Sequence, residues 1–173
     1  MSSYLFHPYT RFSTIENEKF PNIVKGSGVY LFDDNGKRYM DIISSWWACA
    51  LGHNHPKIVQ SIQDQTNILQ HSITGSMTHP NVLELSKRLA HLMPCSNRHC
   101  LFASDGSSSI EAALKISLQY WHNKGKAHKK WLVGMDQAYH GDSLGALGVG
   151  FVDSFHALYK SEVKNSLKLP FPV

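Results

Sequence analysis

Residues 100–115 read CLFASDGSSSIEAALK, and this stretch decides the fold. The apolar run Cys100–Ala103 is short and bounded by polar residues, which predicts a buried strand. Gly106 allows a sharp turn, and from Ile110 onward apolar side chains recur at helical spacing. A strand that passes through a glycine turn into a helix is typical of the crossover units of α/β proteins.

Sequence on both sides extends this α/β pattern. Trp131–Met135 predicts a second strand after the helix, and a crossover helix between two strands implies that they pair in parallel. Upstream, apolar residues recur at helical spacing after Pro56 and again after Pro80, and we expect the second of these helices to stop at Pro94. Further upstream a hairpin is predicted, because aromatic and branched residues flank the Asn-Gly dipeptide that ends at Gly36.

The composition restricts the classes of function. Hydrophobic residues make up 42% of the 173-residue chain and charged residues only 17%, which argues against disorder. A formal net charge of +4, spread along the chain, indicates no nucleic-acid partner. The cysteines show no metal-ligand spacing, and no segment resembles a signal peptide or a membrane span. We therefore expect a cytoplasmic protein with no membrane partner.

The turn at Gly106 is the first candidate site. The first N–H groups of a helix have no partner within it, and the helix dipole adds partial positive charge. Gly106 and the hydroxyls of Ser107–Ser109 could therefore bind a phosphate. The alternative is an ordinary helix start, in which Ser108 and Glu111 form a capping box. The turn lacks the residues of a dinucleotide-binding motif or a P-loop.

For three further groups of side chains, the residues alone leave two roles open. Tyr139 follows a predicted strand, where it either stacks on a planar cofactor or anchors a surface loop. The adjacent Trp46 and Trp47 either fill a core or form the wall of an apolar pocket. His53 and His55 resemble a metal pair, but no third ligand accompanies them, so structural histidines and no metal are the expectation.

Together these segments resemble a known family. Gly106–Ser107 before the helical run Ile110–Lys115, and Ala138–Asp142 after the next strand, resemble the class III aminotransferases, which use pyridoxal 5′-phosphate. The resemblance extends over essentially the whole chain and implies an incomplete α/β fold, the N-terminal part of a fold type I enzyme. Residues 1–55 would form the N-terminal segment of the small domain, with the hairpin and a substrate-pocket loop. Residues 56–173 would begin the parallel-sheet large domain that binds the cofactor.

The resemblance also implies roles for individual residues. Gly106 and Ser107 would bind the phosphate of the cofactor. Tyr139 would lie against the pyridine ring of the cofactor and face the substrate. Asp105 departs from the family, which more often has Ser or Thr directly before the glycine, and we expect it to point away from the phosphate.

His7–Thr10 and Ser44–Ala48 narrow the resemblance to one branch of the family. Members of this branch transfer the amino group of S-adenosylmethionine to 8-amino-7-oxononanoate and so make 7,8-diaminononanoate in biotin biosynthesis. Tyr9, Trp46 and Trp47 would line the substrate pocket, because aromatic walls bury the methylenes of a long acid. A class III enzyme that acts on another ω-amine is the alternative.

Family members are more than twice as long as this chain. The lysine that binds the cofactor covalently, and the aspartate that pairs with its pyridinium nitrogen, lie in the part that follows, so no catalytic residue is assigned here. We expect the isolated chain to bind pyridoxal 5′-phosphate weakly and to be inactive. Members are homodimers. Either a complementing C-terminal chain supplies the rest, or the chain is a truncated, non-catalytic remnant.

Overall fold

The computed structural model divides the chain into two compact units, residues 1–79 and residues 80–173. Each unit has its own sheet. The predicted domain boundary after residue 55 concerns the family fold and stays a prediction. The structure describes residues 4–17, 19–96, 98–164 and 166–171.

The first unit contains the predicted hairpin. Its elements are, in chain order, α1 Phe12–Asn17, β1 Ile23–Ser27, β2 Tyr30–Asp33, β3 Arg38–Met40, α2 Ser44–Trp47 and α3 Pro56–Thr66. β2 and β3 pair antiparallel, with Tyr30 opposite Met40, and β1 adds a third strand. The buried carboxylate of Asp33 closes the turn, because it accepts the backbone N–H groups of Asn35 (3.0 Å) and Lys37 (2.8 Å).

The second unit contains two of the three predicted helices. Its elements are, in chain order, α4 Pro80–Leu92, α5 Gly106–Asn123, β4 Val133–Met135, α6 Leu144–Val149, α7 Asp153–His156, the 3₁₀ helix Ala157–Tyr159 and β5 Leu167–Leu169. With α3 in the first unit, all three predicted helices are confirmed, and α4 ends just before Pro94. Among the described residues, none of the helices has the length and hydropathy that crossing a bilayer requires.

The sheet of the second unit differs from the predicted one. β4 and β5 pair in parallel, with Val133 opposite Leu167, so a parallel pair is present but with a later strand as partner. The prediction of a strand at Cys100–Ala103 is wrong, because this segment is irregular. No strand pairs with it among the described residues. Its backbone groups therefore have no ladder, and Leu101 is 68% exposed.

Helix α6 supplies the buried apolar side chains of the second unit, which are Ala146, Leu147 and Val149. β4 passes so close to α6 that a Cβ on Gly134 would lie 1.9 Å from the carbonyl oxygen of Val149. α6 also packs against α5. These contacts place the loop 136–143, which joins β4 to α6, against the first turn of α5.

Candidate functional site

The first turn of α5 is capped by Asp105. Its Oδ1 accepts the backbone N–H of Ser108 (2.7 Å), and its Oδ2 accepts the Ser108 hydroxyl (2.8 Å). These two hydrogen bonds lower the pKa of the Asp105 carboxyl below its ordinary value. The predicted capping box between Ser108 and Glu111 is therefore wrong. The Asp105 carboxylate lies against the N–H groups of the helix end, and its orientation away from a bound phosphate stays a prediction.

A donor for an anion remains at this helix end, although the backbone N–H of Ser107 already contacts the Asp105 carboxylate. Gly106 and Ser107 occupy the first two helical positions, where the helix itself offers no acceptor for a backbone N–H. A Cβ on Gly106 would meet no heavy atom within 4 Å beyond its chain neighbours and its own helix. Open space beside N–H groups at the positive end of a helix dipole fits a phosphate.

Ser107 joins this turn to the loop after β4. Its Oγ accepts the backbone N–H of Asp142 (3.0 Å). A side chain at the preceding residue would prevent this contact, because a Cβ on Gly141 would lie 1.8 Å from the Ser107 Oγ, and Gly141 also has a φ of +103°. Since the Ser107 oxygen accepts from Asp142, its hydroxyl hydrogen can be donated to a further acceptor.

Tyr139 is held by the same loop. Its hydroxyl donates to Asp142 Oδ2 (3.0 Å), and its ring stacks on His156 with centroids 6.0 Å apart and planes 16° apart. Tyr139 is 56% exposed, so much of its ring remains accessible. Asp142 therefore binds Ser107 through its backbone and Tyr139 through its carboxylate. The structure brings together Gly106, Ser107 and Tyr139, the three residues predicted to hold a cofactor.

Sequence reasoning missed Glu111, which makes a second connection between α5 and this loop. Its Oε1 accepts the hydroxyl of Ser143 (2.6 Å) and the backbone N–H of Gly145 (2.9 Å), at the start of α6. The hydrogen bond from Ser143 is the main cause of the lowered pKa of Glu111. One signal was available, because Glu111 lies one turn after Ser107 and so shares its helix face.

The first unit presents Trp46 and Trp47 on a left-handed turn. All four residues of α2 have positive φ angles, between 48° and 66°. Trp46 is 57% exposed and Trp47 81% exposed, so neither ring fills a core among the described residues. The ring of Tyr9 meets that of Trp46 edge-on, with centroids 5.7 Å apart. Two of the four residues predicted to face the substrate are thus in contact.

Asp41 holds this left-handed turn. It accepts the Ser45 hydroxyl (2.7 Å) and the Ser45 backbone N–H (3.0 Å), and it lies 2.7 Å from Nε2 of His53. These contacts, with Ser45 first, lower the pKa of Asp41 to about 2. His53 also exchanges two backbone hydrogen bonds with Gly28. Within the described ranges no three His, Cys, Asp or Glu side chains lie close enough to hold a metal ion.

Comparison with known proteins decides the family. The profile described as "Aminotransferase class-III" matches residues 13–173. The chain belongs to this family. The resemblance seen in the sequence is thereby confirmed. The match includes the left-handed turn of the first unit and, in the second unit, the Ser107–Tyr139 cluster, but it begins after Tyr9.

Two relatives of this class III aminotransferase chain carry the same name. The adenosylmethionine-8-amino-7-oxononanoate aminotransferase of Aquifex aeolicus is 37% identical over 170 residues, which are 98% of this chain and 37% of the relative. The crystal structure of the enzyme of that name from Methanocaldococcus jannaschii matches 98% of this chain and 39% of its own, with a TM-score of 0.91 and 29% identity. The chain thus spans little more than a third of the length of its relatives.

A third comparison concerns the cofactor. An amine transaminase from an uncultivated Pseudomonas species, solved in a PLP-bound form, matches 99% of this chain and 39% of its own, with a TM-score of 0.86 and 26% identity. The predicted fold is confirmed, because these structures are transaminases and this chain matches a portion of them.

Proposed function

We propose that this chain is the cofactor-phosphate and substrate-wall portion of an enzyme that transfers the amino group of S-adenosylmethionine to 8-amino-7-oxononanoate. The product would be 7,8-diaminononanoate for biotin biosynthesis. The names of the relatives support the reaction. One observation in the structure carries the site, namely that Asp142 joins Ser107 to Tyr139 by two hydrogen bonds.

The second unit would hold pyridoxal 5′-phosphate. The N–H groups of Gly106 and Ser107 and the Ser107 hydroxyl would bind its phosphate, and the exposed ring of Tyr139 would stack on its pyridine ring. When bound, the cofactor supplies an electron sink for amino-group transfer. The Asp105 carboxylate, which accepts from Ser108 at the same helix end, would repel a bound phosphate and so weaken its binding.

The first unit would supply the substrate wall. Tyr9, Trp46 and Trp47 expose aromatic surface, which suits the methylene chain of 8-amino-7-oxononanoate. The Tyr9 hydroxyl would help to orient a polar end of that substrate. The edge-on contact between Tyr9 and Trp46 supports a shared role for these two residues.

Other polypeptide would complete the enzyme. The chain spans little more than a third of its relatives. The lysine that binds the cofactor would therefore come from polypeptide outside this chain, as would the aspartate at the pyridinium nitrogen. We expect a complementing C-terminal chain and a homodimer, as in the family. A non-catalytic remnant is the second candidate.

A growth experiment tests the proposal. A bacterial strain that cannot make 7,8-diaminononanoate is grown on medium without biotin. The chain alone should not restore growth. The chain together with the polypeptide encoded directly downstream should restore it, and Ser107→Ala with Tyr139→Phe in the same pair should not. Failure of the unaltered pair would favour the remnant. Growth with added 7,8-diaminononanoate is the positive control.

A further inference from the structure

His156 is buried beneath the loop that carries Tyr139. The side chain is 3% exposed, in contrast to the 56% of Tyr139. Three aromatic rings surround its imidazole: Tyr139 stacks on it with ring centroids 6.0 Å apart, and Phe151 and Phe155 meet it edge-on with centroids 5.5 and 6.1 Å away. A buried polar ring of this kind needs hydrogen-bond partners for both of its nitrogens.

Those partners assign the tautomer of His156. The backbone N–H of Val152 donates to Nδ1 (3.0 Å), so Nδ1 carries no hydrogen. The hydrogen of the neutral imidazole is then on Nε2, which lies 3.1 Å from Asp142 Oδ1 and donates to it. The direction of this hydrogen bond is therefore fixed by the backbone of Val152.

Three polar contacts of the candidate site meet at Asp142. Its Oδ1 accepts from His156, its Oδ2 accepts from Tyr139, and its backbone N–H donates to Ser107. His156 thus sets the plane of the Asp142 carboxylate from the buried side. It also touches the Tyr139 ring directly, so it contacts both members of the Tyr139–Asp142 pair.

We propose that His156 is a positioning residue, which orients the Asp142 carboxylate so that the hydroxyl and ring of Tyr139 stay beside Ser107. This inference rests on the proposed function, because the position of Tyr139 matters for catalysis only if Tyr139 faces the cofactor ring. His156 itself is buried and acts through Asp142.

Two variants separate the hydrogen bond from the packing. His156→Phe keeps an aromatic ring for stacking but has no donor, whereas His156→Gln keeps an amide donor but has no ring. The measurement is the Cζ resonance of Tyr139 in chain labelled with ¹³Cζ-tyrosine, assigned by its loss in Tyr139→Phe. We expect His156→Phe to shift this resonance towards that of a tyrosine in water, and His156→Gln to leave it close to its original position.

His122→Phe is the matched control, because His122 lies on the exposed end of α5. The proposal is overturned if the Tyr139 resonance stays in place in folded His156→Phe, or if both variants shift it equally. If His156→Phe does not fold, the ¹⁵N shifts of the His156 ring in the unaltered chain decide. A hydrogen on Nε2 that persists in slow exchange supports the proposal, and a hydrogen on Nδ1 overturns it.

A second readout keeps this inference separate from the cofactor proposal. The resonances are measured without pyridoxal 5′-phosphate, so they test His156 even if the chain binds no cofactor. Added pyridoxal 5′-phosphate should then bind about five- to tenfold more weakly to His156→Phe than to His156→Gln. No binding to any variant, with the resonance changes as expected, would contradict the proposed function and leave the positioning role supported.

Discussion

The backbone N–H of Asp142 donates to the hydroxyl of Ser107 over 3.0 Å, although 35 positions separate the two residues in sequence. The contact fixes the loop after β4 on the first turn of α5. It also determines how the Ser107 hydroxyl can be used, because the oxygen accepts from Asp142 and the hydrogen can be donated outward. The turn at Gly106 and the Tyr139 loop are therefore joined.

Ser107→Ala should loosen this site. The variant removes the acceptor of the Asp142 N–H, which costs about 1 kcal/mol of unfolding free energy. Hydrogen exchange at the Asp142 amide should become at least severalfold faster, and pyridoxal 5′-phosphate should bind more weakly. Ser109→Ala is the control, because its hydroxyl donates to the Asp105 carbonyl at the same helix end. Unchanged exchange at Asp142 would show that Ser107 does not hold the loop.

Gly141→Ala should lower the free energy of unfolding by more than the positive φ of Gly141 alone would cause. Gly141 has a φ of +103°, and an added Cβ would lie 1.8 Å from the Ser107 Oγ. Gly125→Ala is the matched control, since Gly125 has a φ of +69° but a Cβ there would meet nothing within 4 Å. Left-handed backbone costs a side chain about 1–2 kcal/mol.

Urea unfolding of the two glycine variants measures the difference. Gly141→Ala should lose about 1–3 kcal/mol more than Gly125→Ala, the usual cost of overpacking. Equal losses would mean that the loop moves away from Ser107 at no cost.

The sequence predicts the local features of this fold and misses the long-range ones. The three helices and the hairpin follow from spacing and from the turn at Gly36, since their partners are neighbours in sequence. Cys100–Ala103 was predicted as a strand because it is apolar, but a strand also requires a partner strand. The pairing of Glu111 with Ser143 spans 32 positions, so helical spacing places Glu111 on the face of Ser107 but does not identify its partner.

Asp41 should make the free energy of unfolding depend on pH below about pH 4. The folded state lowers the pKa of Asp41 from 3.8 to about 2, chiefly through the hydrogen bonds from Ser45. Because the folded pKa is the lower one, the stabilisation is complete above pH about 4 and is lost as the pH falls towards 2. Asp41→Asn should therefore lower the urea midpoint at pH 6 and have little effect near pH 2.

Asp64→Asn, on the exposed surface of α3, is the control for the Asp41 experiment. The same variants test the left-handed turn, because Asp41→Asn should also change the near-ultraviolet circular dichroism of Trp46 and Trp47. A difference between Asp41→Asn and the unaltered chain that stays constant from pH 2 to 6 would contradict the pKa of Asp41.

Tyr9→Phe should distinguish the two candidate substrates in enzyme reconstituted with its remaining polypeptide. The ring would still meet Trp46, but the hydroxyl that is expected to orient 8-amino-7-oxononanoate is lost. The kcat/KM for 8-amino-7-oxononanoate should fall about tenfold, as for loss of one hydrogen bond in a binding site. The kcat/KM for a simple ω-amine substrate should not change. Tyr4→Phe, at a fully exposed position, is the control. An unchanged preference would contradict the role assigned to Tyr9.

The isolated chain should bind pyridoxal 5′-phosphate only weakly. The helix end and two charge-assisted hydrogen bonds contribute a few kcal/mol, and stacking on Tyr139 adds about 1 kcal/mol. A gross gain of about 4–6 kcal/mol corresponds to a dissociation constant between about 1 mM and about 40 µM, and ordering costs leave millimolar binding at best. Pyridoxal without the phosphate should bind more weakly still, because it lacks the group that Gly106 and Ser107 would hold.

Visible absorbance and borohydride trapping measure this binding to the isolated chain. We expect no stoichiometric adduct at any single lysine by mass spectrometry, because the covalent lysine would belong to other polypeptide. Adding the downstream polypeptide should produce one adduct, on that polypeptide. Micromolar binding by the chain alone, with an adduct at one of its own lysines, would mean that this chain carries its own covalent anchor and would overturn the proposed division of the enzyme.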